Sequence, residues 1–336
     1  MALLHPFMSC KSSMATILLL IGLLHITGVQ SIGVCYGRNG NNLPSVADTI
    51  NLYKQNGIGG LRIYDATNDV FDALRGSNID VIVDVPNDKL QDLANPDTAN
   101  DWVQRNIVPY PDVNFKYVAV GNEVYPGNTG ADYALTALQN VHAALSAANK
   151  GGIKASTATY SAVLDNTYPP NNGVFKDEAK NLMEPIVQFL AQNNLPLLAN
   201  IYPYFGRGSA PLSFSLFSDT QLNDVGYQNM FDAMLDSMYA AVEKAGGSNV
   251  QIVVSESGWP SDGGQDASPE NAATYYQNLI QHVKGNPGTP MKPGIAIETY
   301  LFAMFDENEK NGDATEQHFG LFSPDDQSPK YQLSFN

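Results

Sequence analysis

The sequence predicts an α/β fold, a single (β/α)8 TIM barrel, on three observations. Eight short apolar runs alternate with longer segments of helical period, the pattern of repeated βα units around a parallel sheet. The stretch that carries them, residues 32–336, has the length of one such barrel with a few enlarged loops, and no linker or low-complexity tract divides it. Neither G-x-G-x-x-G nor G-x-x-x-x-G-K-S/T occurs, so the competing doubly wound open sheet lacks its usual phosphate-binding loop.

The expected strands, in order, are Ile32–Tyr36, Leu61–Asp65, Asp80–Val85, Tyr117–Glu123, Lys154–Tyr160, Leu197–Tyr204, Ile252–Glu256 and Ile295–Phe302. Helix signals lie between them. After the first strand, Val46, Ile50 and Tyr53 fall on one face, with Pro44 near the start and Gly57 just past the end. Before the seventh, Phe231, Met234, Met238 and Val242 form one stripe that ends at Gly246-Gly247; its spacing is that of a face buried on a barrel. The stretch Gly206–Gly226 is too long for an ordinary βα loop and is expected to wall a cleft.

The first residues stand apart from this pattern. Lys11 precedes an unbroken apolar run from Ile17 to Leu24, and the small residues Val29 and Ser31 sit at −3 and −1 before Ile32, as in a secretory signal peptide. The run is too short for a membrane anchor, which needs about 20 apolar residues. Residues 1–31 are therefore read as the signal and 32–336 as one secreted domain. Cys10 leaves with the signal, so Cys35 is the only mature cysteine and neither an internal disulfide nor a thiolate metal cluster is expected.

The formal charge is −16 with Lys11 and −17 without it. Phosphate binding needs clustered Lys and Arg, so nucleic acid and anionic membrane are excluded as partners and a neutral substrate is favoured. The hydrophobic share of 43% suffices for a packed core without staples. No Asn-x-Ser/Thr sequon occurs. Mature His142, His282 and His318 have no metal-ligand spacing, and the first two, in helical segments, read as surface imidazoles. No metal or cofactor is expected.

Barrels of this class carry their chemistry at the C-terminal ends of the strands. There Val118-Ala119-Val120 runs into Gly121-Asn122-Glu123-Val124, and Ile252-Val253-Val254 into Ser255-Glu256-Ser257-Gly258-Trp259-Pro260. One acid after an apolar strand is commonly a cap or a solvated loop residue. Two such acids, on the fourth and seventh strands, can share one cleft with a sugar between them, and glycosidic cleavage needs such a pair.

At these motifs the chain resembles the plant family 17 glycoside hydrolases, the endo-1,3-β-glucanases. The resemblance runs from Ile32-Gly33-Val34-Cys35-Tyr36-Gly37 to Phe319-Gly320-Leu321-Phe322 and Ser328-Pro329. Its signatures include Arg62-Ile63-Tyr64, Asn200-Ile201-Tyr202-Pro203-Tyr204-Phe205 and Phe302-Ala303-Met304-Phe305-Asp306-Glu307-Asn308.

It implies a retaining mechanism with Glu123 as general acid/base, Glu256 as nucleophile and Asn122 on the sugar's 2-hydroxyl. It also implies that Glu307 and Lys310 support the pair, the lysine holding positive charge near the carboxylates and Glu307 fixing the ammonium or a sugar hydroxyl. Tyr64, Tyr204, Phe205 and Phe305 are candidates for stacking on sugar faces, and Trp259 is placed with them as a substrate-binding or supporting residue.

The resemblance further implies a catalytic domain over 32–336 that acts on a β-glucan, callose or fungal wall glucan, in the apoplast or cell wall, with a vacuole as the other destination; a monomer is expected. Two stretches depart from the commoner pattern beside the subsites, Asp65-Ala66-Thr67-Asn68 and Tyr125-Pro126-Gly127. The alternatives are a 1,3;1,4-β-glucanase on the same barrel and a catalytically silent barrel that only binds wall polysaccharide.

Overall fold

The computed structural model describes residues 32–335; the signal-peptide reading of residues 1–31 lies outside them. Ten strands are present among these residues: β1 (Gly33–Tyr36), β2 (Gly60–Ile63), β3 (Asp80–Val85), β4 (Asn114–Asn122), β5 (Lys154–Tyr160), β6 (Leu164–Asp165), β7 (Val174–Phe175), β8 (Leu197–Asn200), β9 (Ile252–Ser257) and β10 (Thr299–Leu301). Eight of them close into a barrel in the order β1-β10-β9-β8-β5-β4-β3-β2, while β6 and β7 pair as a small antiparallel ribbon outside it.

All eight expected strands are in the barrel, Asp80–Val85 and Lys154–Tyr160 with the expected ends and the others with altered ones. The sixth was expected to reach Tyr204 but stops at Asn200, because Pro203 takes the first position of a short helix, Pro203–Gly206, where its fixed φ and missing N–H fit. The eighth shrinks from Ile295–Phe302 to Thr299–Leu301, and Ile295 is exposed.

Two apolar layers hold the barrel. Side chains alternating along the strands, among them Cys35, Ile82, Ala119, Ala158, Leu198 and Val253, fill its interior, and the opposite faces pack against the helices. Tyr300 fills the interior beside β1 and β2: a Cβ on Gly33 would lie 2.2 Å from its ring, and one on Gly60 2.9 Å, so both strands need glycine there.

The helices begin where the sequence caps them. The Ser45 hydroxyl accepts from the Asp48 N–H at the head of Val46–Gln55, and the Asn229 carbonyl from Asp232 N–H at the head of Met230–Lys244. On the second helix Phe231, Met238 and Val242 are buried as the stripe requires. Met234 is half-buried: it packs against the core and also lines the cleft at the barrel mouth.

Candidate active site

A cleft of about 1100 Å³ crosses the C-terminal mouth of the barrel. The loops after β1 and β2 face those after β5 and β8 across it, and the ends of β4 and β9 and the segment after β10 complete its lining. In the closed ring β1 stands opposite β5 and β2 opposite β8, so the cleft spans a diameter.

Two irregularities in the sheet aim the acids. Between Val254 and Glu256, β9 carries one residue more than β8, and between Ala119 and Asn122, β4 carries one more than β5. An extra residue breaks the strict alternation of a strand and re-aims the side chains beyond it. Ser255 and Glu256, neighbours in sequence, therefore both address the barrel mouth: the Ser255 hydroxyl donates to Asn200 Oδ1 at 2.8 Å, and Glu256 lines the cleft. Glu123 follows β4 with φ of 51°, the left-handed region that a non-glycine residue adopts at a cost of roughly 1 kcal/mol or more. Its N–H donates to the Ala158 carbonyl at 2.8 Å, which holds the turn.

The two carboxyl groups meet different surroundings. Glu256 accepts three hydrogen bonds, from Arg62 Nη1 at 2.9 Å and Tyr64 Oη at 2.8 Å on Oε1, and from Tyr202 Oη at 2.7 Å on Oε2. Glu123 receives one, from Asn200 Nδ2 at 2.8 Å. Burial and then the charge of Glu256 push the Glu123 carboxyl up to about 7, so near neutral pH it holds a proton that an exposed glutamate would have lost.

Beneath both lies Arg62, fully buried on β2. Its Nε and Nη2 grip Asp84 at 3.1 and 2.6 Å, Nη2 also donates to Asn122 Oδ1 at 2.9 Å, and Nη1 to Asn200 Oδ1 at 3.1 Å besides Glu256. Burial still lifts Asp84 to about 6 against the pull of Arg62. Asn122 Oδ1 also accepts from Asn200 Nδ2 at 3.1 Å, so its carbonyl is taken up inside the network and its amide NH2 is what Asn122 can offer to the cleft. The Asn87 side chain clamps the Asn122 backbone on both its N–H and its carbonyl, each at 2.8 Å.

Glu307 and Lys310 both line this cleft, each side chain with a different partner. Glu307 Oε1 accepts from the Asn39 N–H at 2.8 Å, whereas the Lys310 ammonium binds Glu316 at 3.0 Å and lies 4.0 Å from the centre of the Phe302 ring. No helix covers either residue. Burial raises the Glu307 carboxyl, with the Asn39 hydrogen bond and Lys310 opposing it.

Of the aromatic candidates, Tyr64 and Phe205 line the cleft; Phe205 is 54% exposed, and Tyr64 faces Glu256 with its hydroxyl. Trp259 and Phe305 do not reach it. Trp259 is 0% exposed, packed on Tyr204 and Tyr275 with its indole N–H on the Asp266 carbonyl, and Phe305 is 1% exposed against Tyr36. Tyr204 is a spacer between Trp259 and Phe205, its hydroxyl on the Gln265 carbonyl.

Of the departing stretches, Asp65 and Thr67 line the cleft; Tyr125 turns to Glu178 instead. His282 is no surface imidazole either: it holds Asp232 at 2.8 Å between Phe217 and Phe231.

Sequence reasoning gave no role to Arg62, Asp84, Asn200, Tyr202 or Glu316. Arg62 and Asp84 carried a signal, each a lone charge inside an apolar strand, where it must find a partner. Glu316 carried none, lying in a loop segment without periodicity.

Residues 32–335 match the model of a family described as Glycosyl hydrolases family 17. A glucan endo-1,3-beta-glucosidase of Nicotiana tabacum, the acidic isoform GI9, is 61% identical over 96% of this chain and 97% of its own. Among solved structures, a beta-1,3-glucanase and allergen of Cryptomeria japonica pollen superposes with a TM-score of 0.87 at 46% identity, over 91% of this chain and 99% of that one. A structure from a study of two plant beta-glucan endohydrolases with distinct substrate specificities superposes with a TM-score of 0.86 at 46% identity, over 90% and 100%.

Proposed function

Because the chain belongs to the glycosyl hydrolases of family 17, we propose that it cleaves internal 1,3-β-glucosidic bonds of glucans by double displacement, with Glu123 as acid/base and Glu256 as nucleophile. The observation that carries this is the contrast between the two carboxyl groups on one cleft: Glu256 accepts three hydrogen bonds, while Glu123 is lifted to about 7. A carboxyl group that keeps its proton, facing a second one fixed by three donors, divides acid from nucleophile.

In the first step the Glu123 proton passes to the departing glycosidic oxygen as Glu256 attacks the anomeric carbon, forming a glycosyl ester. Water, deprotonated by Glu123, then breaks the ester and restores the starting state. Arg62, Tyr64 and Tyr202 hold Glu256 in place. The Asn122 amide donates to the sugar's 2-hydroxyl, a contact that strengthens in the transition state. Lys310, tied by Glu316 and Phe302, keeps a cation beside the acids, and Phe205 offers a sugar an apolar face.

The names of the tobacco and cedar-pollen relatives favour 1,3-linkages over the mixed-linkage alternative. A cleft that crosses the whole barrel mouth suits a polymer bound along its length and cut internally. On this reading residues 1–31 are a signal peptide, and 32–336 act as a secreted monomer in the apoplast or cell wall on callose or fungal wall glucan, in a defensive role. Among the described residues no helix is long and apolar enough to cross a membrane. Reducing-sugar release from laminarin beside mixed-linkage cereal glucan tests the linkage: laminarin is the substrate consumed, and release from cereal glucan alone overturns the assignment.

A further inference from the structure

Pairing between β3 and β4 ends at Val85 and Val120, two residues before Asn122. Past that point the chain after β3 turns at Pro86 into a short 3-10 helix, Asn87–Lys89. The Asn87 side chain takes over where the strand leaves off: its Oδ1 accepts from the Asn122 N–H and its Nδ2 donates to the Asn122 carbonyl, each at 2.8 Å. A primary amide carries a donor and an acceptor side by side, so it satisfies both backbone groups as a paired strand would.

These two groups belong to the peptide units on either side of Asn122, and the second unit leads into Glu123. The φ of Glu123, 51°, persists only where the surroundings over-determine it. On the β5 side the Thr157 hydroxyl donates to the Gly121 carbonyl at 3.2 Å, and the Ala158 carbonyl accepts from the Glu123 N–H at 2.8 Å. On the β3 side Asn87 supplies the counterpart. The site depends unequally on this backbone. Glu123 has one side-chain anchor, the Asn200 amide, whereas Glu256 has three donors and Asn122 Oδ1 is held by Arg62 and Asn200. A shift of the peptide before Glu123 therefore falls on the acid and spares the nucleophile.

We propose that Asn87 is a positioning residue for the general acid: its amide fixes the peptide units that aim the Glu123 carboxyl at the departing oxygen. Asn87 is not among the residues that line the cleft, so it acts through Glu123 and not on the sugar. The inference rests on the reading of Glu123 as acid.

The experiment compares kcat/KM on linear 1,3-β-gluco-oligosaccharides with kcat/KM on a dinitrophenyl β-laminaribioside, for the parent, Asn87→Asp, Asn87→Ala and Glu123→Gln. This ratio reports the steps up to the glycosyl ester, and dinitrophenolate leaves without a proton, so a misplaced acid shows only on the oligosaccharide. Asn87→Asp keeps the size and the acceptor of the side chain and loses the donor to the Asn122 carbonyl, so it carries the test if Asn87→Ala fails to fold. Both Asn87 variants are expected to lose about 10–100-fold on the oligosaccharide and less than about threefold on the dinitrophenyl glycoside, the pattern of Glu123→Gln in milder form. An equal or greater loss on the dinitrophenyl glycoside, no loss on either substrate, or failure of both variants to fold overturns the proposal. A Glu123→Gln variant that keeps the parent's activity on the oligosaccharide refutes instead the acid reading beneath it.

Discussion

Asn200 joins the two halves of the site: its amide donates to Glu123 Oε1 at 2.8 Å while its carbonyl accepts from Arg62 Nη1 at 3.1 Å, the same nitrogen that holds Glu256. The acid and the nucleophile are thus positioned by one side chain on β8. The Asn200 hydrogen bond pulls the Glu123 carboxyl down, against burial and the charge of Glu256. Asn200→Ala is therefore expected to lift Glu123 further and to move the basic limb of kcat/KM to higher pH, because the acid must be protonated in the free enzyme. The same variant lowers the maximum by about 10–100-fold through lost positioning. A pH–rate profile that keeps its limb and loses only height contradicts the assignment of Glu123 as acid.

The raised Glu123 also affects stability. Its folded pKa of about 7 lies above the ordinary carboxyl value of 4.5, so between these values the folded state binds more protons and stability falls as pH rises. Glu123→Gln removes that dependence. Its stability relative to the parent is expected to rise from pH 4.5 to pH 7 and then level off, by on the order of 1–2 kcal/mol after screening. Urea unfolding of both proteins at pH 4.5 and pH 8 checks the sign.

Arg62 is a residue whose loss is expected to cost much stability. Arg62→Met leaves Asp84 buried without its cation and removes a donor from Glu256, Asn122 and Asn200. The expected loss is about 3–5 kcal/mol, the usual result of orphaning a buried ion. Denaturant midpoints measure it, and a change under 1 kcal/mol contradicts the network.

Gly37 is required by space. A Cβ there would lie 2.3 Å from Glu307 Oε2, so Gly37→Ala must displace the carboxylate from the Asn39 N–H. The expected outcome is a drop in kcat/KM of about tenfold or more with little change in denaturant midpoint, read by kinetics and urea titration on the same preparation.

The barrel was legible because most of its strands are apolar runs and helices carry capping residues at their heads, as Ser45 and Asn229 illustrate. The errors fall where apolar composition outlasts pairing: Ile201–Tyr204 reads as strand, yet the strand ends at Asn200 and Pro203 opens a short helix. Glu123 and Glu256 were visible as acids at strand ends, but the extra residue that turns both Ser255 and Glu256 to the mouth was not, because it shows only in the register against β8. Trp259 and Phe305 misled for a related reason. An aromatic after a barrel strand faces either cleft or core, and composition does not say which. Glu316 became visible only when the fold brought Lys310 to it.

Lys310 and Glu316 offer a paired test. The charge of Glu316 raises both Glu123 and Glu307, and Lys310 opposes the rise at Glu307. Glu316→Gln is therefore expected to move the basic limb of kcat/KM to lower pH, and Lys310→Met, which leaves Glu316 unopposed, to move it to higher pH. Superimposable profiles return both to a solvated ion pair worth at most about 1 kcal/mol.

The direct test of the two-glutamate mechanism is the anomeric form of the product as it leaves the enzyme, followed by proton NMR during laminarin hydrolysis before mutarotation. Attack by Glu256 followed by attack of water gives two inversions, so the β-anomer is expected first, with the α-anomer appearing only as the sugar equilibrates. An α-anomer formed first would mean a single displacement by water and would remove Glu256 as nucleophile.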